Sequence, residues 1–547
     1  MVGAGRAGWD TGVAGGLALL TWGITAGSVA GFETPFEDAA MLLRYADHLA
    51  RGHGIRWNPG ETPVDGATDF LYMVSVAALS WLGVPLVAAG KGLSLACHVA
   101  TVPVIYLVNR RVLGVSLVLS ALAALVFAIG PGIALIAAHF GTPMFALGVA
   151  IAWGVALQIR KIGLTVGSAL AFSAAALFFS LVRPEGVLLS LLILAPLAAG
   201  LETTQRRKLI IVFAAVFGVV GGAYFLWRWG YFGHPFPNPF YKKGGGRLYP
   251  ASLLHSFENV LKTGGIFLLF HVAALFHPRL QRDARFALIP ILGFSSVWLF
   301  LSDEMNFMGR FQYAVLPLIL MSFAPLAAHL AESAGLKWPD RGPRKLLLGS
   351  WLVAGLCLGA VVMRRAFPAQ YASYDGLREV GRVLAPLRDR GYTLAVTEAG
   401  LLPLYSGWRT IDLWGLNDAE IAHAGGLTEE YLRANAPDVV LYHSFSSPIQ
   451  PEQGRETLRG WNRMVSLLEK YVKENDYVLA AAYGSGTSES HWYFVRRGIE
   501  HEAAIVKAIR AVRYNWLGQC VNWAALGLPP AREEPFTFET SLRMSGP

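Results

Sequence analysis

The chain has 547 residues, of which 54% are hydrophobic and only 15% charged, where a soluble globular domain carries about 25% charged residues. That composition excludes a soluble enzyme, a disordered regulator and a fibrous protein, and it indicates an integral membrane protein with room for a water-soluble part. Lysine and arginine (46) outnumber aspartate and glutamate (37) for a net charge of +9, which in a membrane chain reads as basic cytoplasmic loops, not as nucleic-acid binding.

A bilayer core takes about 20 apolar residues as a helix. Runs of that kind predict spans near 12–31, 90–109, 115–130, 142–158, 163–181, 186–200, 209–227, 262–277, 286–302, 312–331 and 346–362. The first follows only Arg6 and shows no small-residue cleavage site after it, so it reads as a retained helix and not a signal peptide. Residues 68–83 are apolar but short, and the positive-inside rule decides their place. With 68–83 as a juxtamembrane helix, Arg110, Arg111, Arg160, Lys161, Arg206, Arg207 and Lys208 fall inside, while Glu33, Glu37, Asp38, Asp69, Glu185 and Asp303 fall outside. Arg364 and Arg365 run against this pattern. Eleven spans with a cytoplasmic N-terminus put the C-terminus outside.

From about 363 charges become frequent and long apolar runs vanish. The segments YTLAVTEAG and PDVVLYH read as buried strands and HWYFVRR near 491–497 as another, with helical patterns around 374–389 and 455–473 between them. The expected architecture is a polytopic α-helical membrane domain over 1–362, with juxtamembrane helices in a first outer loop at 32–89, followed by an extracytoplasmic α/β domain over 363–547. Cys97, Cys357 and Cys520 are widely spaced and suggest neither a disulfide framework nor a metal site.

The first outer loop holds the densest chemistry. A helical pattern begins at Asp38, with Met41, Leu42, Tyr45 and Leu49 on one face and Arg44, Asp47, His48 and Arg51 polar, as in an amphipathic helix lying along a membrane. A carboxylate at Glu37 or Asp38 suits a general base at the membrane surface; Asp is equally a favoured helix N-cap. The following HGIRWNPGETPVDGATDF reads as a turn sequence or as the wall of a polar pocket, with Trp57 in it. In the second outer loop Lys242 and Lys243 meet three glycines, which suits a phosphate headgroup or general attraction to anionic lipid. Arg183 and Glu185 in LVRPEGVLL can pair with each other, and Asp303, Glu304 and Arg310 follow in a later outer loop, where Arg310 has the planar fork that grips phosphate. No nucleotide-binding loop, zinc-protease motif, serine-hydrolase elbow or kinase signature occurs.

EDAAMLLRYADHLARGHGIRWNPGE followed by PVDGATDFLY resembles the first-loop pattern of the GT-C glycosyltransferases, in the branch of the mycobacterial terminal arabinofuranosyltransferases. HPFPNPFYKK, SLVRPEGVL and AGLLPLYSGWRTIDLWGLND resemble further segments of the same branch. The resemblance implies a GT-C fold in a bacterial plasma membrane, a polyprenyl-phosphate sugar as donor, arabinofuranose among the sugars to consider, and a cell-envelope glycan as acceptor. It implies Asp38 as base with Glu37 assisting; Glu37 stands where the family has a first Asp. Lys242, Lys243, Arg310 and Arg44 would hold the donor phosphate. Arg183, Glu185, His234, Tyr241, Asp303 and Glu304 would line the cavity, and Trp57, Trp408, Asp412 and Trp414 would meet the acceptor, the last three being equally readable as core and turn residues. No metal ligand set is read and no cofactor is required, although a divalent cation between Asp38 and the phosphate is compatible with the chemistry. The rival classes are a transporter or flippase of lipid-linked sugars, and a regulatory membrane protein with a partner-binding outer domain.

Overall fold

A computed structural model describes residues 2–244, 246–303, 306–333, 375–444, 455–486, 489–516 and 520–526. The chain forms two compact units: Met1–Glu33, Thr68–Pro235 and Gly246–Phe367 make the first, and Thr34–Ala67, Phe236–Gly245 and Pro368–Pro547 the second. Residues 34–67 and the Asn238 loop thus group with the C-terminal residues.

The first unit is helical. It begins with α1 (Val2–Val29), and after the outer loop come α3 (Phe70–Trp81) and α4 (Leu86–Leu107), α2 (Glu37–Ala50) belonging to the second unit. Six described helical runs are long and apolar enough to cross a bilayer, or seven with one bent pair. They include Thr142–Ile162, packed between α4 and its neighbour Val166–Val182, and Thr203–Phe232. Ile210, Ile211, Val219 and Leu226 on the last are exposed; so continuous an apolar surface is tolerated in lipid and not in water. This is a polytopic membrane fold. The expected spans 163–181 and 186–200 fall on shorter apolar helices, Val166–Val182 and Gly186–Ala199, and 286–302 on Gln281–Gly293 continued by a 3-10 turn. Helix α3 has 12 residues, about 18 Å of rise against a bilayer core of about 30 Å. The expected span 346–362 lies outside the described residues.

The expected span 262–277 is not one helix. Pro250–Gly264 and Ile266–Leu275 meet at 101°. Gly265 makes the corner with φ +49° and ψ −137°, a conformation that L side chains rarely adopt. The apolar count was continuous across this point, so composition alone concealed the break.

The second unit carries a six-stranded sheet of order β2-β1-β3-β5-β4-β6. Its strands are β1 (Thr393–Val396), β2 (Arg409–Asp412), β3 (Val439–His443), β4 (Tyr477–Gly486), β5 (Glu489–Arg496) and β6 (Val521–Asn522). The first three are mutually parallel and the rest antiparallel. Ile411, Val440, Tyr442 and Trp492 pack on one face with Leu432, Met464 and Leu468 from helices, while the alternate residues Leu394, Leu441, Tyr493 and Val495 are buried too. Both faces are covered, as parallel strands require. The expected strands at 392–400 and 437–443 and the helices near 374–389 and 455–473 are present as β1, β3, Gly376–Leu384 and Arg455–Glu474.

Replacing Gly265 by alanine forces a side chain into the strained corner and is expected to cost about 1–3 kcal/mol, read as a lower unfolding temperature of the detergent-purified protein. The same change at Gly218, inside a helix with open space around it, should be neutral or mildly stabilising.

Candidate functional site

In the second unit the motifs of the first outer loop meet the C-terminal residues. Helix α2 begins at Glu37, and Phe36 precedes it with no side-chain cap. Asp38 is therefore inside the first turn and is not the N-cap; it is half-buried. Glu37 is buried, and its carboxylate accepts from the backbone N–H of Gly400 at 2.6 Å and of Leu401 at 3.1 Å. A Cβ at Gly400 would collide with the Glu37 backbone and carboxylate, which is why a glycine stands there. Burial, reinforced by the charge of Glu398, pushes the Glu37 carboxyl well above the usual range, against the pull of the two N–H groups. With both oxygens engaged, Glu37 anchors the start of α2.

Arg44 is the centre of the unit. The α2 face expected to be polar is buried at Arg44 and His48. Arg44 donates from Nε to the Trp57 carbonyl at 3.0 Å, from Nη1 to Pro403, and from Nη2 to the Trp408 carbonyl at 2.8 Å and to Asn58 Oδ1 at 3.1 Å. Its guanidinium also lies 4.7 Å from the Trp57 ring centre. Burial lowers its pKa to about 10, so it stays charged at neutral pH. The fork is spent inside the protein, and the expected phosphate role of Arg44 is corrected to a structural one.

Of the residues expected to meet the acceptor, Trp57, Trp408 and Asp412 have their polar atoms engaged within the unit, as the core and turn reading of the last two has it. Trp57 donates from Nε1 to the Thr410 carbonyl, and Asn58 exchanges two hydrogen bonds with the Thr410 backbone, so this loop covers the β2 edge of the sheet. Trp408 is 1% exposed and donates to the Leu384 carbonyl. Asp412 is 1% exposed, and its carboxylate accepts from the N–H groups of Trp414, Gly415 and Asn417 and from the Asn417 side chain. That is a side chain closing a turn; burial raises its pKa to about 6 in spite of those donors. Trp414 is covered by Lys242, whose Nζ lies 4.0 Å from the ring centre. Lys242 and Lys243 end the helix Asn238–Gly244, and Tyr241 packs against His423. Asn238 fixes that segment by donating to the carbonyls of Gly415, Leu416 and Asp418.

In the first unit Arg183 pairs with Glu185, as expected, and also with Asp69, both at 2.6 Å. Largely buried charges are costly to desolvate, and here one guanidinium is shared by two carboxylates. Arg310 is buried, with its guanidinium 4.3 Å from the Phe140 ring centre. Asp303 lies 3.3 Å from His255 Nδ1, His234 is exposed, and Glu304 lies outside the described residues.

Sequence reasoning missed Asp69 as a partner of Arg183, and it missed Glu398, His443 and His491, whose ligand-type atoms all lie within 4.8 Å of one another. No local spacing marks that trio; only the pairing of β3 with β5 brings the two histidines together.

Residues 366–496 match the model of a domain of unknown function, DUF8728. No curated protein matches the chain. By fold, it is similar to two crystal structures of ArnT from Cupriavidus metallidurans. The one bound to undecaprenyl phosphate matches with a TM-score of 0.53 at 12% identity, over 90% of this chain and 98% of ArnT. The apo structure matches with 0.52 at 14% identity over the same shares. The chain shares the polytopic fold of ArnT. In this chain residues 34–67, the Asn238 loop and the C-terminal residues are one compact unit.

Arg44→Ala should leave several buried acceptors bare, at about 1–3 kcal/mol each, and Arg44→Lys should recover only part of that because an ammonium lacks the planar fork; unfolding temperatures of the two variants check the order. Burial, with the nearby Arg44 charge, pulls His48 down to about 4 from 6.5. The unfolded chain then takes up this proton first, so the stability tied to His48 is present above pH 6.5 and lost as pH falls from 6.5 towards 4. His48→Gln should flatten that part of the stability profile, measured by thermal unfolding across the interval.

Proposed function

We propose that this protein is a membrane glycosyltransferase that moves a sugar from a polyprenyl-phosphate donor to a glycan acceptor of the cell envelope, on the outer face of a bacterial plasma membrane. The observation that carries the reading is the fold: nearly the whole of ArnT, a GT-C glycosyltransferase crystallised with undecaprenyl phosphate, is matched. The acidic start of α2 and the lysines at the end of helix Asn238–Gly244 add chemistry suited to the reaction.

In this reading Asp38 takes the proton from an acceptor hydroxyl. The hydroxyl oxygen attacks the anomeric carbon, the bond from that carbon to the phosphate oxygen breaks, and the lipid phosphate leaves with the electron pair. Lys242 and Lys243 neutralise the leaving charge, and Arg310 is a further candidate for that task. Glu37 holds the first turn of α2 and so sets where the Asp38 backbone stands. Arabinofuranose is the first sugar to test. The reaction needs no cofactor once the phosphate charge is neutralised, and a divalent ion beside Asp38 would assist in the same sense.

A second reading, a flippase for lipid-linked sugars, draws on one feature: the helix broken at Gly265 is of the kind that transporters use. It is the one such pair among the described residues, and an inverted repeat would need two.

The test is transfer from defined polyprenyl-phosphate sugars to glycan acceptors by the purified protein in lipid nanodiscs. Asp38→Asn should lower the transfer rate by at least about 100-fold with an unchanged unfolding temperature. Full activity in that variant would remove Asp38 as base. If the wild type turns over no polyprenyl-phosphate sugar but moves one across proteoliposomes, the flippase reading replaces the enzyme.

A further inference from the structure

The second unit contains three groups of metal-ligand type that the proposed reaction does not use. His443 is the last residue of β3, and His491 stands directly opposite it on β5. Residues opposed across an antiparallel pair have Cβ atoms about 4.5–5.5 Å apart, so register alone brings the two rings together; their centres are 4.7 Å apart. Glu398 follows β1, the parallel neighbour of β3. It adds a carboxylate 3.3 Å from His443 Nδ1 and 3.9 Å from His491 Nε2.

The place in the sheet matters. From β1 the chain goes to β2 on one side and then to β3 on the other. The strand order therefore reverses between β1 and β3, and in α/β sheets ligands bind outside the carboxyl ends of the strands at such a reversal. Glu398 and His443 stand at those two carboxyl ends.

The polar accounting points the same way. Both histidines are fully buried; Nε2 of His443 makes no hydrogen bond, and Nδ1 of His443 and Nε2 of His491 face the Glu398 carboxylate without a hydrogen bond of good geometry. Buried polar atoms normally have partners. One ring nitrogen without any partner and two that share a single carboxylate at imperfect geometry mark a place suited to something that accepts lone pairs. The outer groups fit too. Nδ1 of His491 is engaged by the Tyr514 hydroxyl at 2.7 Å, which leaves Nε2 to face Glu398, the arrangement by which metal-binding histidines are oriented. The Trp516 ring lies 4.7 Å and 4.6 Å from the two imidazoles.

We propose that Glu398, His443 and His491 bind a divalent transition metal of the zinc class, with a water molecule as the fourth ligand. Two imidazoles and one carboxylate are a zinc donor set. Ligand atoms at about 2.0–2.1 Å from a tetrahedral zinc stand about 3.3–3.4 Å apart; the His443–Glu398 pair already has that separation, and the others close by small side-chain shifts. Glu398 is three residues before Leu401, so the ion fixes the segment whose Gly400 and Leu401 N–H groups hold Glu37. The proposal does not depend on the chain being a transferase.

The experiment is metal analysis of the full-length protein purified in detergent. After chelator treatment, added zinc or cobalt should bind at about one ion per chain, and cobalt should show the visible absorption of a low-symmetry nitrogen–oxygen site. The ion should raise the unfolding temperature. His491→Ala should abolish tight binding. Tyr514→Phe, which keeps all three ligands and the aromatic packing, should weaken it about 10- to 100-fold. Two results would overturn the proposal: a wild-type protein, folded by its cooperative unfolding, that binds neither ion, or one whose binding is unchanged in both variants.

Discussion

A guanidinium buried away from water must find acceptors for its donors or the protein does not fold around it. Arg44 meets that demand with carbonyls of Trp57, Pro403 and Trp408 and the side chain of Asn58. The acceptors are separated by some 350 positions in the chain, yet they must converge on one fork. That requirement explains why residues 34–67 belong with the C-terminal sheet and not with the helices that flank them in sequence. It also explains why the loop at Trp57 and Asn58 lies along the β2 edge: having delivered its carbonyl to Arg44, it is placed to pair with Thr410.

The same demand changes the meaning of the motifs. Arg44, Trp57, Trp408 and Asp412 stand out in the sequence as a cationic, aromatic and acidic set suited to a phosphate or a sugar. In the fold each has its polar atoms engaged within the unit. Residue types that recognise a phosphate or a sugar are also those that satisfy buried carbonyls and close turns. Spacing in the chain cannot separate the two uses, because the acceptors that decide between them come from distant segments.

What was legible follows from range. Apolar runs and the shift in charge near 363 are local, and they gave the membrane helices and the α/β character of the C-terminal part. β1, β3 and β5 were readable because each is a run of large apolar residues. β2 has four residues, and β4 is rich in alanine and glycine, so neither carries the periodic signal. The corner at Gly265 hid inside continuous hydropathy. Arg183–Glu185 was readable at a separation of two residues, whereas its second partner Asp69 is 114 positions away.

The consequence for Asp38 is geometric. Helix α2 is held at Glu37 by the N–H groups of Gly400 and Leu401, and at Arg44 by the carbonyls of Pro403 and Trp408. These anchors are seven residues apart, about 10 Å along the helix. Two points of attachment two turns apart fix both the translation of a helix and its rotation about its axis. All four backbone groups come from one segment, the loop and short helix that follow β1, so the sheet determines where the first turn of α2 stands. A carboxylate one residue beyond a tethered one inherits that placement, which is the support a reacting group needs from elements that do not themselves react. The half-buried acid therefore takes its backbone position from the buried polar network beside it.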